Sequence, residues 1–203
     1  MVIDYGIQRP HPVMLCRDRV DLVPMDLAHA DALFDAGHDP ATFQFWSVPM
    51  KTREDFREFV RVALANRDKL GDVPWVVFDK EQKRIVGSTR LFDVQPQNRN
   101  AEIGHTWYDS TVWRTKVNTE CKYLILKQCF EEWDLLRVQL KTCSRNVRSQ
   151  EAMARLGATR EGVLRDHVII HDGYVRSSVY FSVLAHEWPE VKKRLERFME
   201  KRY

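Results

Sequence analysis

The sequence lacks the features of secreted, membrane-spanning and metal-dependent proteins. Its four cysteines include no CxxC pair and its seven histidines form no HExxH cluster, so neither a disulfide framework nor a metal site is indicated. No apolar run approaches the roughly 20 residues that cross a bilayer, and the opening segment MVIDYGIQRP has neither a basic head nor an apolar core. We therefore expect reduced, mostly buried thiols, a cytoplasmic location and no membrane contact.

An excess of charge of one sign is also lacking. The chain has 32 basic and 29 acidic residues, and this balance disfavours nucleic acid as a partner. Any anion-binding site must therefore be local. A length of 203 residues with 44% hydrophobic content suits one globular domain, and no repeat or Gly/Ser-rich linker divides the chain. The domain is expected to span residues 1–203, with its core over about 15–190.

Hydrophobic periodicity predicts the order strand, two helices, three strands, helix, strand, helix, two strands and helix. The strand–helix–strand unit in the middle implies one parallel pair in an otherwise antiparallel sheet, and diverging strands leave a cleft there. Asp172-Gly173 predicts a hairpin between the last two strands, and a final helix is expected over 188–202. The predicted class is a mixed α/β fold in which helices flank a mostly antiparallel central sheet.

Two of the predicted helices have detailed signatures. In the second helix, Thr52 and Asp55 fit a capping box, and Gly71 marks the end. Residues 117–133 carry a wide apolar stripe that is suited to lying against a sheet. The expected apolar face of the second helix consists of Phe56, Phe59, Val60, Val62, Ala63 and Leu64.

The segment DSTVWRTKVNTE, residues 109–120, ends the run of strands and opens this apolar helix. It places the cations Arg114 and Lys116 where the helix begins. Unpaired backbone N–H groups and the helix dipole favour anions at such a position, and phosphates in particular. The alternative interpretation is a solvated surface turn.

Three further stretches show a family resemblance. AEIGHTWY with the helix that follows, RNVRSQEAMARLGATREGVLRDH, and HDGYVRSSVYFSVL resemble the GNAT acetyltransferase superfamily, in particular the branch of bacterial ribosomal-protein N-terminal acetyltransferases. The resemblance covers nearly all of residues 15–190. Its most specific part is the series Asn146, Ser149, Leu156-Gly157, Glu161-Gly162 and Asp172-Gly173.

The resemblance implies acetyl-CoA as the acetyl donor, bound in a cleft between the fourth and fifth strands, with its pyrophosphate on the loop VWRTKVN. Relatives tend to have glycine and a small residue where this chain has Arg114 and Lys116. The two cations either contact the phosphates directly or block the close approach of the backbone. The implied cofactor-binding residues are Ile103, His105, Arg114, Thr115, Lys116, Val117, Asn118, Asn146 and Ser149.

The resemblance also implies catalytic roles. Ser149 is placed near the acetyl sulfur, where a hydroxyl can protonate the departing thiolate, although Asn146 and Ser149 also suit helix capping. Backbone N–H groups around Ile103 to His105 are expected to stabilise the oxyanion.

The base that accepts the amine proton is left open. Glu102 and His105 on the fourth strand are candidates, although Glu102 also suits a solvated or salt-bridged carboxylate. On the sixth strand, Val168 or its neighbour His167 stands where ribosomal-protein members have an acidic residue, and His167 is the third candidate.

The aromatic residues Phe43, Phe45 and Trp46 fall in a loop that resembles the acceptor-binding wall of the family, and packing onto the core is the alternative. The implied activity is acetyl-CoA-dependent transfer to a primary amine, of a protein N-terminus or a small molecule, directly within a ternary complex. The alternative is a GNAT-fold binding module that has lost turnover with its loop glycines. The tryptophans suit core or subunit-contact positions, which leaves a homodimer open.

Overall fold

The computed structural model describes residues 9–200, and its central feature is one eight-stranded sheet. The strand order across the sheet is β1-β2-β3-β4-β5-β6-β8-β7. Every neighbouring pair is antiparallel except β5 and β6, which are parallel. The strands are β1 Leu15–Cys16, β2 Val20–Pro24, β3 Val73–Asp79, β4 Arg84–Gln95, β5 Asn100–Tyr108, β6 Arg137–Cys143, β7 Thr159–Ile169 and β8 Val175–Leu184.

Five α-helices cover the two faces of this sheet. The helices are α1 Ala30–Ala36, α2 Arg53–Leu70, α3 Val117–Lys127, α4 Val147–Leu156 and α5 Trp188–Glu200. Alternate residues of a strand point to opposite faces. In β3, Trp75 and Val77 accordingly pack in the apolar cluster of α3 and α5, whereas Val76 packs in a second cluster with α1 and α2.

The predicted element order is confirmed, with one strand more than expected. The short strand β1 pairs with β2, so the predicted fourth, fifth and sixth strands are β5, β6 and β7. The helix predicted over 117–133 is α-helical only to Lys127 and continues as a π-helical turn over Gln128–Glu132. The last two residues of the helix predicted over 188–202, and both ends of the domain predicted over 1–203, lie outside the described residues.

The signatures of α2 are confirmed at both ends. The Thr52 side chain accepts a hydrogen bond from Asp55 N–H and the Asp55 carboxylate accepts from Thr52 N–H, while Gly71 ends the helix in the left-handed region at φ 79°. The predicted apolar face is wrong at Val62, which is 45% exposed. Helical periodicity places Val62 two positions from Val60, on the side that the sheet does not cover.

The four thiols are free, as expected from the sequence. Cys121, Cys129 and Cys143 are buried and Cys16 is exposed. Burial raises the pKa of the Cys121 thiol to about 12, which keeps it protonated. Among residues 9–200, no helix is both long and apolar enough to cross a bilayer.

Candidate active site

The cleft lies between β5 and β6. Their parallel pairing runs from Asn100 opposite Arg137 to Ile103 opposite Leu140 and ends there, although β5 continues to Tyr108. Beyond Ile103 the register no longer joins the two strands, so the backbone groups on this edge of β5 face the cleft. Such an opening between parallel strands is a common ligand site in mixed sheets.

A β-bulge deforms β5 at this opening. The β4–β5 register shifts between Ser88 and Arg90, so that Thr89 alone stands opposite His105 and Thr106. His105 has φ 47°, in the left-handed region that non-glycine residues rarely adopt. Bulges redirect side chains next to functional sites. This one directs His105 toward the face of the sheet that carries α2.

The bulge is held from the opposite face by a buried hydroxyl network. The Thr106 hydroxyl contacts the Gly104 carbonyl at 3.3 Å and the Thr89 hydroxyl at 2.8 Å. It also accepts a hydrogen bond of 2.9 Å from the Lys122 ammonium, which belongs to α3. Lys122 is buried, and desolvation lowers its pKa to about 8. The sequence signal for this residue was a single lysine within the apolar run of α3, and it was overlooked.

Glu102 precedes the bulge and is almost fully buried. One of its carboxylate oxygens, Oε2, accepts hydrogen bonds from Gln139 at 3.0 Å and Lys141 at 3.2 Å. The other, Oε1, lies 3.1 Å from the Lys141 ammonium but has no hydrogen bond of good geometry. Burial raises the pKa of Glu102, and the neighbouring Lys141 opposes that shift. Glu102 is thus a salt-bridged carboxylate, not a solvated one.

Side chains from separate strands form a closed circle of contacts beside the bulge, which we call the contact ring. Its first half starts at Trp46, whose ring centroid lies 6.0 Å from that of His105. His105 in turn packs edge-on against Phe92 at 5.0 Å. The Lys141 ammonium lies 5.4 Å from the Phe92 ring centroid and 5.7 Å from the Tyr180 ring centroid.

The second half of the contact ring runs from Tyr180 back to the first residue. The rings of Tyr180 and His167 are 5.9 Å apart, and His167 Nδ1 lies 3.0 Å from the Ser178 hydroxyl. Arg176 donates to the same hydroxyl at 3.3 Å and to the Phe45 carbonyl at 3.3 Å. Phe45 directly precedes the tryptophan of the first half, which closes the circle.

The contact ring brings together His105 and His167, two of the predicted catalytic residues. Desolvation, followed by the charges of Arg90 and Lys141, lowers the pKa of His105 well below its usual range. Desolvation, Lys141 and Arg176 likewise lower the pKa of His167. Both side chains are exposed, so water reduces the size of these shifts, but their shared direction favours neutral imidazoles at neutral pH.

The aromatic loop divides between the two interpretations of the sequence. Phe43 is buried and packs against Phe56 and Trp107, so its role is to fill the core. Trp46 and the Phe45 carbonyl belong to the contact ring. Packing and lining therefore both occur within four residues of one loop.

The start of α3 holds the residues predicted for phosphate binding. Arg114 is exposed and has φ 61°, the conformation that glycine adopts most readily, so the loop keeps a glycine-type path without glycine. Lys116, in contrast, donates a hydrogen bond to the Met199 carbonyl in α5. Thr115 accepts from Val117 N–H at 3.3 Å. Asn118 lies in the first turn of α3 and is half-buried.

Asn146 and Ser149 lie where the chain leaves β6. Asn146 N–H donates to the Cys143 carbonyl at 2.9 Å, and its side chain accepts from Ser149 N–H at 3.1 Å as the N-cap of α4. The capping interpretation is therefore correct for Asn146. The Ser149 hydroxyl has no hydrogen-bond partner within the described part of the chain and is free to contact a ligand.

Two cations that sequence reasoning missed flank the start of α3. The Arg148 guanidinium stacks 3.8 Å from the ring centroid of Trp113, and Arg155 donates to the Thr119 hydroxyl at 3.2 Å. Together with Arg114 they surround the helix start with positive charge, which suits the pyrophosphate of acetyl-CoA. Over residues 9–200, no group of three or more His, Cys, Asp or Glu side chains is arranged to hold a metal ion.

The sheet with its cleft, the bulge and the helix start are the features of one protein family. The acetyltransferase (GNAT) domain model matches residues 19–159. This match takes in more than half of the chain, which therefore belongs to the GNAT acetyltransferase family. GNAT acetyltransferases use acetyl-CoA as the acetyl donor, so the protein is an acyltransferase that takes its acetyl group from this compound.

Individual relatives agree with this assignment. The chain is 31% identical over 104 residues to the "Putative ribosomal N-acetyltransferase YdaF" of Bacillus subtilis (strain 168), across 51% of this chain and 56% of that protein. The chain thus spans little more than half the length of this curated relative. A solved acetyltransferase structure from T. thermophilus has a TM-score of 0.84 and 36% identity, covering 93% of this chain and 97% of its own. A GCN5-related N-acetyltransferase from Brucella melitensis has a TM-score of 0.87 and 26% identity, covering 95% and 88%.

Proposed function

We propose that the protein transfers the acetyl group of acetyl-CoA to a primary amine, of a protein N-terminus or a small molecule, by direct attack within a ternary complex. The observation that supports this most strongly is the position of the contact ring. It surrounds the face of the cleft that lies opposite α3, so an acceptor and a donor can approach the bulge from different sides. A covalent enzyme intermediate is then unnecessary.

Acetyl-CoA supplies a thioester whose C–S bond breaks as the amine nitrogen forms its bond to the acetyl carbon. The residues to hold it are those at the start of α3 together with Asn146 and Ser149. Backbone N–H groups of β5 from Ile103 to His105 are the donors proposed for the developing negative charge on the carbonyl oxygen. Ser149, whose hydroxyl is otherwise free, donates a proton to the departing thiolate.

The amine must lose a proton, and the contact ring favours this in two ways. Arg176 and Lys141 are cations, and like charges lower the pKa of an amine that binds among them. His105 is exposed and neutral, so it is able to receive the proton and pass it to water. Glu102 is buried beneath the bulge, and we assign it the role of holding Lys141 in place. His167, on the far side of the ring, orients the acceptor.

The acceptor is the open part of this proposal. The curated relative is named as a ribosomal N-acetyltransferase, which favours the α-amine of a protein N-terminus. Small amines are compatible with the same chemistry. A second subunit is a further open point, since β7 forms an edge of the sheet and exposes the apolar residues Val163, Leu164 and Ile169.

The test measures CoA release with purified protein, acetyl-CoA and a panel of peptides and small amines. Each acceptor is paired with a copy whose amine is already acetylated, and mass spectrometry identifies the modified nitrogen. We expect release that depends on the free amine and is lost with the blocked copy. Release that is the same with blocked and free amines would be thioester hydrolysis, and would contradict transfer to an amine.

A further inference from the structure

Arg176 occupies an unusual position for a partly buried arginine. Its guanidinium donates only to neutral oxygens, the Phe45 carbonyl and the Ser178 hydroxyl. Within residues 9–200 it makes no ion pair with a carboxylate, and its buried Nε has no hydrogen-bond partner. A buried donor without an acceptor destabilises a protein, and arginine is rarely buried unpaired. An anion bound beside it would offset this deficit.

The other cations near the contact ring do not share this deficit. Lys141 is paired with Glu102, and Arg90 is paired with Asp72. Arg176 is thus the cation of the ring that lacks a countercharge in the described chain. The ring consequently carries an excess of positive charge, the reverse of what a basic acceptor requires.

The position of the guanidinium sets the distance between the anion and the reacting amine. Arg176 reaches back over Ser178, and Tyr180, which contacts Lys141, stands two residues further along β8. Two residues of a strand span about 7 Å. This is also about the length of two extended residues of a peptide acceptor.

We propose that Arg176 is a specificity-determining residue that binds a carboxylate of the acceptor, about two residue lengths from the amine that is acetylated. The acceptor class is therefore an amine that also carries a carboxylate. The carboxylate is either the C-terminus of a dipeptide or an acidic side chain near the N-terminus of a longer peptide. Arginine suits this task because its planar fork of N–H donors matches the two oxygens of a carboxylate. This inference rests on the proposed amine acetylation.

The experiment compares matched acceptors that differ only in this charge. One arm uses Ser-Ala with a free carboxylate against its C-terminal amide. The other uses peptide amides that start Ser-Asp or Ser-Asn. A hydrogen-bonded charge pair corresponds to a preference of about tenfold or more in kcat/KM for the acid. The arm that shows the preference identifies the source of the carboxylate.

Two variants separate binding from a structural role. Arg176→Gln is expected to bring the acid-to-amide ratio close to one, by raising KM for the acid while leaving the amide unchanged. Arg160→Gln removes an exposed arginine of β7 outside the ring and is expected to keep the ratio. If the first variant folds poorly, Arg176→Lys, which keeps the charge, is expected to retain part of the preference.

A second readout keeps this inference distinct from the proposed function. Binding of the same four acceptors to the CoA-loaded protein is measured by calorimetry. Turnover without any preference between acid and amide in either arm would overturn the role of Arg176 and leave acetylation standing. Acid-selective binding without turnover would support the role of Arg176 and count against the activity. Equal or absent binding of every acceptor would overturn the inference.

Discussion

The ammonium group of Lys116 donates a hydrogen bond to the backbone carbonyl of Met199, and so joins the start of α3 to the last turn of α5. A cation at the C-terminal end of a helix also interacts favourably with the helix dipole. Lys116 therefore links two helices, whereas Arg114 is exposed and has no side-chain partner in the described chain. The two cations of the loop have different roles.

Replacing Lys116 with methionine tests its structural role. We expect Lys116→Met to lower the free energy of unfolding by about 1 kcal/mol, because a charge-assisted hydrogen bond at a helix end is lost. Affinity for acetyl-CoA is expected to change less than twofold. Chemical denaturation and calorimetry measure the two effects, with the exposed Lys69→Met as control. A large loss of affinity with unchanged stability would instead place Lys116 on the phosphates.

Replacing Arg114 with glycine separates backbone strain from phosphate binding. Arg114 has φ 61°, and a non-glycine residue in this region costs about 1 kcal/mol, so Arg114→Gly is expected to raise stability by that amount. Loss of the cation is expected to weaken acetyl-CoA binding about tenfold and to reduce its dependence on salt.

The measurement for Arg114→Gly is calorimetric titration with acetyl-CoA at low and moderate salt. Tighter binding by the glycine variant would support the opposite interpretation, in which the bulky side chain blocks the backbone from the phosphates. No binding by the natural sequence, restored by glycine, would indicate a GNAT fold that has lost its activity.

Lys122 makes stability depend on pH in the alkaline range. Its folded-state pKa of about 8 lies below the usual 10.5, so between these values the unfolded chain binds more protons and stability rises with pH. Below about pH 8 the buried ammonium destabilises the fold by about 3 kcal/mol. Lys122→Met removes that effect and loses one hydrogen bond to Thr106, so we expect a gain of about 2 kcal/mol at pH 7.

The pH dependence is measured by urea denaturation of both proteins between pH 7 and pH 11. The difference between Lys122→Met and the natural sequence is expected to shrink as pH rises through the interval. A variant that is less stable at every pH would mean that the ammonium is stabilised where it lies. Because Thr106 holds the bulge, a fall in kcat alongside the gain in stability is also expected.

Substitutions at His105 and Glu102 distinguish the proton acceptor from its surroundings. His105→Gln is expected to lower kcat by about 100-fold, the lower end of the range for general base catalysis. Glu102→Gln keeps the hydrogen-bonding shape but removes the partner of Lys141, so we expect a change in KM that exceeds the change in kcat. Steady-state kinetics over a range of pH separates the two. A larger loss of kcat in Glu102→Gln would transfer the role of base to Glu102.

Local signals in the sequence were sufficient for most of the fold. The capping box at Thr52 and Asp55 and the hairpin at Asp172-Gly173 depend on neighbouring residues only, and both occur as predicted. The face of α2 was predicted less well, because periodicity does not specify how wide a face the sheet covers, and Val62 lies beyond that edge.

The order of elements, the capped helix ends and the parallel pair that leaves the cleft were determined by the sequence itself, since each follows from short-range patterns. The tertiary structure alone decided which side chains meet at the cleft. Arg176 reaches the Phe45 carbonyl across 131 positions of the chain, and the bulge at His105 changes which face its side chain joins. Such contacts depend on strand register, where a shift of one residue exchanges the two faces of a sheet. For that reason, residue type and spacing alone did not indicate the contact ring or the unpaired guanidinium within it.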